Sequence, residues 1–405
     1  MRTGHAPQMR VAIFTDNDFE KVNGVTTTLK AVLTHAPPGI DVRVYTASRQ
    51  AVDEPHYFSA RAVGLPIPFY REMSLYVPRA SRFQRAVQAA GVDVIHLTTP
   101  GPVGLAAMRL AHRLHVPLVG SFHTDLGTYT HLLSGSARLG NLMRAFLRWP
   151  YGRCARVLAP SVATRRMLVR SPADDARIAI WRRGVDGVRF SPSHRREDLR
   201  RRWGVSTERP ALLYVGRVSK EKGLHLLPAL ASALTRRGVP HRFVIVGRGP
   251  METQLRAQLP DAVFTGVLEG DALSAAYASS DVFVFPSQTD TAGNVVLEAQ
   301  ASGLPVLVTN VGGPPENVAD GRSGHVLPDI SPDSWLHRVA PLLEHAAYRE
   351  AMGAAARRYA ETRTWAAALE PLFRTYRELA SPVARPVSRD RGDSLAGALA
   401  GEVEA

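Results

Sequence analysis

The chain has 405 residues, of which 45% are hydrophobic and 21% charged, with a single cysteine. This length allows two domains of ordinary size, each with its own core, and one cysteine excludes an internal disulfide or a cysteine-rich metal site. No run of about 18 apolar residues and no hydrophobic signal core is present, so we expect a cytoplasmic protein without a membrane-spanning helix.

Positive charge is concentrated in the first half of the chain. Residues 1–190 carry 25 Lys and Arg against 12 Asp and Glu, whereas residues 191–405 carry 25 against 24. A basic half is typical of proteins that bind nucleic acid, an anionic membrane or an anionic substrate. Composition does not choose among these three partners.

Short apolar runs alternate with helical or loop segments, which is the pattern of βαβ units and parallel sheets. The predicted strands are 10–15, 42–46, 93–97, 117–121 and 156–159 in the first half, and 212–216, 242–246, 263–266, 281–285 and 305–309 in the second. Two sheets are therefore predicted. The Arg-, Gly-, Ser- and Pro-rich stretch after Arg182 predicts a linker, with a domain boundary near residue 190.

Ligands of open α/β sheets bind beyond the carboxyl ends of the strands, so the informative residues should follow strands. Gly24 follows the first strand and lets backbone approach a ligand at a helix start, although a plain strand-to-helix turn also fits. Asp16 and Asp18 form a D-x-D in the same loop, which is weak evidence for a metal, and we predict none. His123 ends the fourth strand, where a lone histidine is more often structural.

In the second half, Arg217 and Lys222 lie in the loop between Gly216 and Gly223. Both cations can point at one spot and neutralise a diphosphate without a metal, while a solvated charged loop is the alternative. The later segment FVIVGRGPME lacks the third glycine of the dinucleotide fingerprint. This absence disfavours a Rossmann dehydrogenase.

The stretch 281–306 predicts a strand, a loop, a helix and a second strand. Residues 289–291 are candidate N-caps, which places Asp290 and Glu298 on one helix face, roughly 12 Å apart along the axis. Gly293 and Asn294 would present backbone N–H groups to an anion at the helix N-terminus. Asp290 as a simple cap and Glu298 as a solvated residue is the alternative.

The segment PSQTDTAGNVVLEAQASGLPV resembles the acidic E-x₇-E motif of retaining glycosyltransferases of family 4, which have the GT-B fold. Gly216 to Gly223 match the family motif GRxxxxKG, and the resemblance covers almost the whole chain before its last 25 residues. Two departures are Asp290 in place of the first glutamate and Ala292 in place of an aromatic residue. The shorter acid implies a looser contact with the sugar or a different sugar.

The resemblance implies an α/β protein with two Rossmann-like domains facing a central cleft. The expected organisation is an acceptor-side domain 1–190, a nucleotide-sugar-binding domain 191–362, a helix 363–380 that crosses back to the first domain, and a disordered tail 381–405. By the same resemblance, the site residues divide into those that hold the donor diphosphate (Arg217, Lys222 and Gly24), the ribose (Glu298), the base (Val267), and the transferred sugar (Asp290, Asn294 and His123).

The segments around His123 and Asp290 are most similar to enzymes that transfer mannose from GDP-mannose to lipid or oligosaccharide acceptors. UDP-hexose-dependent diacylglycerol and sulfolipid glycosyltransferases are the alternative, and no cofactor beyond the donor is implied. The same fold also hosts sugar-nucleotide epimerases and phosphorylases. A nucleic-acid-binding module would leave the strand-end residues unexplained, so we expect no nucleic-acid partner.

Residues 138–156 mix large apolar residues with arginines. Such a segment can lie on an anionic bilayer surface, such as the inner face of the cell membrane. A core helix with snorkelling arginines explains the same pattern.

Overall fold

The computed structural model describes residues 8–21, 23–67 and 70–381. Within these ranges the first half contains strands β1 (Met9–Phe14), β2 (Ile40–Ser48), β3 (Val52–Glu54), β4 (Tyr57–Arg61), β5 (Val63–Ile67), β6 (Tyr70–Val77), β7 (Val94–Leu97), β8 (Leu118–Ser121), β9 (Arg156–Ala159) and β10 (Ile178–Ile180). Its helices are α1 (Gly24–Thr34), α2 (Ala80–Ala90), α3 (Pro102–Leu114), α4 (Leu126–Ser134), α5 (Ala137–Tyr151), α6 (Val162–Leu168) and α7 (Pro172–Arg177).

The second half follows the same alternation of strands and helices. Its strands are β11 (Ala211–Val215), β12 (Arg242–Val246), β13 (Val263–Gly266), β14 (Val282–Phe285), β15 (Val306–Thr309) and β16 (Gly324–Leu327). Its helices are α8 (Glu197–Trp203), α9 (Leu226–Arg236), α10 (Glu252–Gln258), α11 (Gly270–Ala278), α12 (Asn294–Ala301), α13 (Pro332–Glu344), α14 (Ala346–Glu361) and α15 (Trp365–Ala380). Short 3₁₀ turns lie at Pro192–His194, Lys220–Lys222 and Pro314–Asn317.

Two large sheets carry the fold, and β5 and β6 form a separate antiparallel pair. The first has the strand order β10-β9-β8-β7-β1-β2-β4-β3 and is parallel except for the β3–β4 pair. The second has the order β13-β12-β11-β14-β15-β16 and is parallel throughout. Every strand predicted from the sequence is present, with ends within two residues of the prediction.

Strand order creates a crevice in each sheet. In the second sheet β11 lies between β12 and β14, so the connections from these neighbours leave in opposite directions. In the first sheet β1 is placed in the same way between β2 and β7. Ligands of open α/β sheets bind at such switch points, outside the carboxyl ends of the strands.

The last helix packs on the sheet of the first half. Leu369, Leu372 and Tyr376 of α15 are 0% exposed and belong to one apolar cluster with Val11 and Val94 of the first sheet. Each large apolar side chain buried in this way contributes roughly 1.5–3 kcal/mol. The Thr364 hydroxyl starts the helix by accepting the N–H of Ala367 at 3.3 Å. The tail predicted to be disordered, 381–405, lies outside the described residues except for Ser381.

Candidate active site

An ion pair lies at the switch point of the second sheet. Lys222 follows β11 and Asp290 follows β14, and Nζ of the lysine is 3.0 Å from Oδ2 of the aspartate. Burial opposes both charges, but Asp290 raises the pKa of Lys222 and Lys222 lowers the pKa of Asp290. Both groups are therefore charged at neutral pH, at the position where the fold binds ligands.

The loop before α12 holds Asp290 in place, and here the structure corrects the sequence analysis. Asp290 is not on the helix, because α12 begins only at Asn294. Gly293 has a φ of +75°, which breaks the helical path and favours glycine. Oδ1 of Asp290 accepts the N–H groups of Gly293 at 2.7 Å and Ala292 at 3.1 Å. The prediction that Asp290 and Glu298 share a helix face is therefore wrong.

A tight turn positions Lys222. Gly223 has a φ of +71°, and a Cβ there would lie 2.1 Å from the carbonyl oxygen of Pro286. Only glycine lets the loop after β11 approach β14 so closely. The ammonium of Lys222 also lies 5.5 Å from the centre of the Phe285 ring. The backbone conformation of this turn thus fixes the direction of the Lys222 side chain.

Arg217 lies on the same loop as Lys222. Its Nη1 is 3.7 Å from Oε1 of Glu221, a carboxylate that also accepts the Ser219 hydroxyl. The Tyr214 hydroxyl donates to the carbonyl oxygen of Arg217 at 2.8 Å. This loop therefore presents two cations, as the sequence predicts, and it is held by buried polar contacts rather than being simply solvated.

The N-termini of α1 and α12 lie close together. A Cβ added to Gly24 at the start of α1 would lie 3.9 Å from Nδ2 of Asn294 at the start of α12. Asn23 caps α1 by accepting the N–H groups of Val25 and Thr26. In the described part of the chain, Oδ1 of Asn294 is buried and has no hydrogen-bond partner. Two neighbouring helix N-termini form a favourable site for an anion.

His123 takes part in a chain of hydrogen bonds. Nη2 of Arg183 lies 3.3 Å from Nδ1 of His123, and Nε2 lies 2.8 Å from Oγ of Ser121. Because a guanidinium only donates, Nδ1 accepts and the proton of the neutral ring is on Nε2. Burial lowers the pKa of His123 well below its ordinary value, and Arg183 and His96 add to this effect.

The chain continues into the core of the first half. Oγ of Ser121 lies 2.8 Å from Nε2 of His96, and Nδ1 of His96 lies 2.6 Å from the hydroxyl of Tyr376 on α15. Both hydroxyls can donate or accept, so the tautomer of His96 sets the direction of these two hydrogen bonds. The last helix is thus hydrogen-bonded, through two buried groups, to a residue of the cleft.

Glu298 lies in the second turn of α12, where Oε2 accepts the hydroxyl of Tyr277 at 2.9 Å. Burial raises the pKa of Glu298, while Tyr277 and Arg189 oppose that shift. Val267 follows β13, the edge strand of the second sheet, and is 59% exposed. Both residues thus lie beyond the carboxyl ends of strands in the same sheet.

The two acids of the D-x-D segment have separate roles. Asp16 accepts the N–H groups of Gly101, Val103 and Gly104 at the start of α3. Burial raises its pKa to about 6, although these hydrogen bonds oppose the shift. Oδ2 of Asp18 is instead 3.8 Å from Lys21. Asp16 is therefore a helix cap.

Two residues make contacts between the halves that the sequence did not predict. Glu316 accepts the N–H groups of Val162 at 3.0 Å and Ala163 at 2.9 Å, and so caps α6 of the first half. The Thr291 hydroxyl donates to the carbonyl oxygen of His123 at 2.6 Å.

Arg183 is a further residue whose buried environment the sequence did not predict. It stacks on Trp181 at 4.3 Å, and its pKa is lowered by burial to about 9, with Asp290 opposing the shift. Its position in the linker sequence gave no signal of burial.

Comparisons with known proteins agree with this architecture. Residues 22–189 match the family model described as Glycosyltransferase Family 4, and residues 195–359 match Glycosyl transferases group 1. The chain belongs to the GT-B glycosyltransferases of this group and family, and it is a glycosyltransferase. The family and fold predicted from the sequence are confirmed.

Among curated relatives, a GDP-mannose-dependent alpha-mannosyltransferase of Mycolicibacterium smegmatis is 36% identical over 381 residues, which cover 91% of this chain and 97% of the relative. The sulfoquinovosyl transferase SQD2 of Arabidopsis thaliana is 32% identical over 370 residues, 89% of this chain and 71% of the relative. Among solved structures, sucrose-phosphate synthase of Thermosynechococcus elongatus has a TM-score of 0.72 at 19% identity, covering 92% of this chain and 99% of that one.

Proposed function

We propose that this glycosyltransferase transfers mannose from GDP-mannose to a membrane glycolipid or an oligosaccharide, with retention at the anomeric carbon. The observation that carries the proposal is the Lys222–Asp290 ion pair at the switch point of the second sheet. Relatives named as GDP-mannose-dependent enzymes, 32–36% identical over 380–390 residues, support mannose. A UDP-hexose donor is the second candidate, because the motifs also resemble those of UDP-sugar-dependent glycolipid glycosyltransferases and a sulfoquinovosyl transferase is 32% identical.

In this proposal the cations of the loop after β11 bind the leaving diphosphate. Lys222 and Arg217 offset the negative charge that develops there in the transition state, which is the largest electrostatic effect that the site can supply. The neighbouring helix starts at Gly24 and Asn294 add N–H groups near the same anion. No metal ion is then needed to neutralise the leaving group.

The remaining residues place the sugar and nucleoside. Glu298 binds the ribose, Val267 lies against the base, and Asp290 with Asn294 holds the transferred hexose. His123 bounds the reaction centre as a neutral imidazole, because a protonated ring would oppose the positive charge of an oxocarbenium-like centre. Both of its ring nitrogens have protein partners, so we assign it no proton transfer.

We propose that retention occurs without a covalent glycosyl intermediate, because Asp290 is a poor nucleophile in the described site. The carboxylate of Asp290 is bound to Lys222 and to two N–H groups, which stabilise its charge and lower its nucleophilicity. The acceptor hydroxyl then attacks from the side of the leaving diphosphate.

The proposal also includes the division of the chain near residue 190 into an acceptor-side domain 1–190 and a donor-side domain 191–362, joined again by the helix 363–380. The separate sheets of the two halves and the packing of α15 on the first sheet support it.

The donor is tested by thermal unfolding with GDP, UDP, ADP or dTDP in the presence of EDTA. Selective binding of one nucleotide to the native state raises the midpoint according to its affinity. We expect GDP to give the largest rise, followed by mannosyl transfer with GDP-mannose. A selective rise with UDP would instead support the glucosyl, galactosyl or sulfoquinovosyl alternative, and no rise with any of the four would contradict the proposed donor site.

Helix α5 supports contact with an anionic membrane. Its residues Leu139, Leu142, Phe146 and Trp149 recur at helical spacing and are 41–67% exposed, and Arg138 and Arg148 are exposed beside them. A core helix would bury such residues, so this pattern favours a peripheral membrane surface. No helix among the described residues is long and apolar enough to span a bilayer.

We expect the protein to float with vesicles that contain anionic lipid and much less with neutral vesicles. The double variant Leu142→Ser/Trp149→Ser should lose most of this recovery, because it removes apolar area from the proposed contact. Val188→Ser is the matched control, since Val188 is 85% exposed but lies outside α5. Equal flotation with both lipids would show that anionic charge does not attract the protein. Unchanged flotation of the double variant would show that α5 is not the membrane-contacting surface.

A further inference from the structure

Tyr277 is a buried tyrosine whose hydroxyl contacts Glu298, the residue proposed to bind the ribose. It lies in the last turn of α11 and is 0% exposed. Its hydroxyl donates to Oε2 of Glu298 at 2.9 Å. In the described part of the chain no hydrogen bond reaches Oε1, and Glu298 is itself only partly buried. One carboxylate oxygen is thus committed to the protein, and the other remains available to a ligand.

The ring of Tyr277 is held firmly by its neighbours. Phe190 packs against it edge-to-face, with ring centres 5.5 Å apart, and Phe283 lies at 5.9 Å. Aromatic contacts of this kind stabilise one ring orientation. A phenylalanine would fill the same volume, so the core requires the ring and does not require the hydroxyl.

The hydroxyl also affects the charge of Glu298. Burial raises the pKa of this carboxyl group, and hydrogen bonding from Tyr277 acts in the opposite direction. An ionised carboxylate accepts hydrogen bonds from two neighbouring ribose hydroxyls, whereas a protonated carboxyl group has one acceptor fewer. Tyr277 therefore favours both the orientation and the ionisation that ribose binding needs.

We propose that Tyr277 is a positioning residue that holds Glu298 for recognition of the ribose hydroxyls of a nucleoside diphosphate. The inference rests on the proposed role of Glu298. On this proposal, Tyr277 acts through Glu298 and so affects how strongly the protein prefers ribose over 2′-deoxyribose.

The test compares the dissociation constants of GDP with 2′-deoxy-GDP, and of UDP with 2′-deoxy-UDP, by calorimetry. For the nucleotide that binds, we expect the native protein to prefer the ribonucleotide by about tenfold or more, as a hydrogen bond to a charged group implies. Tyr277→Phe should reduce this preference by about fivefold, and should reduce it no further in a Glu298→Gln background. Tyr376→Phe, which loses another fully buried hydroxyl, should keep the native preference.

The results distinguish the proposed role of Glu298 in ribose binding from the proposed role of Tyr277 in positioning it. If the native protein binds both sugars equally, the assignment of the ribose to Glu298 is wrong and the role of Tyr277 falls with it. If the native protein discriminates and Tyr277→Phe discriminates equally well, only the role of Tyr277 is overturned. A weaker but equally selective Tyr277→Phe variant would show a general structural effect and would also overturn the proposal.

Discussion

Replacing Lys222 with methionine should lower kcat/KM by about a thousandfold, the scale of losing one preorganised donor to a developing negative charge. The same change leaves the partly buried carboxylate of Asp290 without its counter-ion and should destabilise the fold by about 2–3 kcal/mol, somewhat less than for a fully buried pair. Steady-state kinetics and urea unfolding measure the two effects separately. Lys220→Met is the matched control, because Lys220 lies in the same 3₁₀ turn with an exposed side chain.

A second substitution separates catalysis from stability. In Lys222→Met/Asp290→Asn the unpaired charge is gone, so most of the lost stability should return. Activity should stay low, because the cation that stabilises the leaving diphosphate is still absent. Full activity of the double variant would mean that the ion pair is purely structural, and the proposed role of Lys222 would be wrong.

Much of this site could be predicted because parallel sheets collect strand ends at one edge. Apolar runs located β11 and β14, and the residues that follow them, Lys222 and Asp290, do meet. Their contact needs only the strand order of a doubly wound sheet. The local path of the chain was harder to predict, since the polar residues before Gly293 look like helix caps. The positive φ of Gly293 delays the helix and leaves Asp290 in a loop.

Contacts between distant segments carried no local signal. His96 and Tyr376 are 280 positions apart, and their hydrogen bond depends on how α15 returns to the first sheet. Arg183 occurs in an arginine-rich linker, where solvent exposure is the ordinary expectation, yet it is 4% exposed. Glu316 follows a glycine-proline loop, and its role as a cap for α6 requires both halves of the chain to be in place.

Because His96 is buried as a neutral imidazole, the protein should become less stable in mild acid. Burial lowers its pKa from 6.5 to about 3, with a smaller effect of Arg183. Between these values the unfolded chain binds a proton at His96 and the native protein does not, so the free energy of unfolding falls as pH falls from 6.5 towards 3. One such group removes up to about 5 kcal/mol across that window. Urea unfolding at a series of pH values measures the decline.

The comparison with His96→Gln isolates this group, because other residues titrate in the same range. The pKa of Asp16 is raised to about 6, so this group makes the free energy of unfolding rise as pH falls from 6 to 3.8. It therefore offsets part of the loss of stability that His96 causes in the native protein. The variant should be less stable at pH 7.5, where the Ser121 and Tyr376 contacts are altered, but its stability should fall less steeply below pH 6.5. His112→Gln removes an exposed histidine and should keep the native slope. Parallel profiles for His96→Gln and the native protein would show that His96 is not held neutral by the fold.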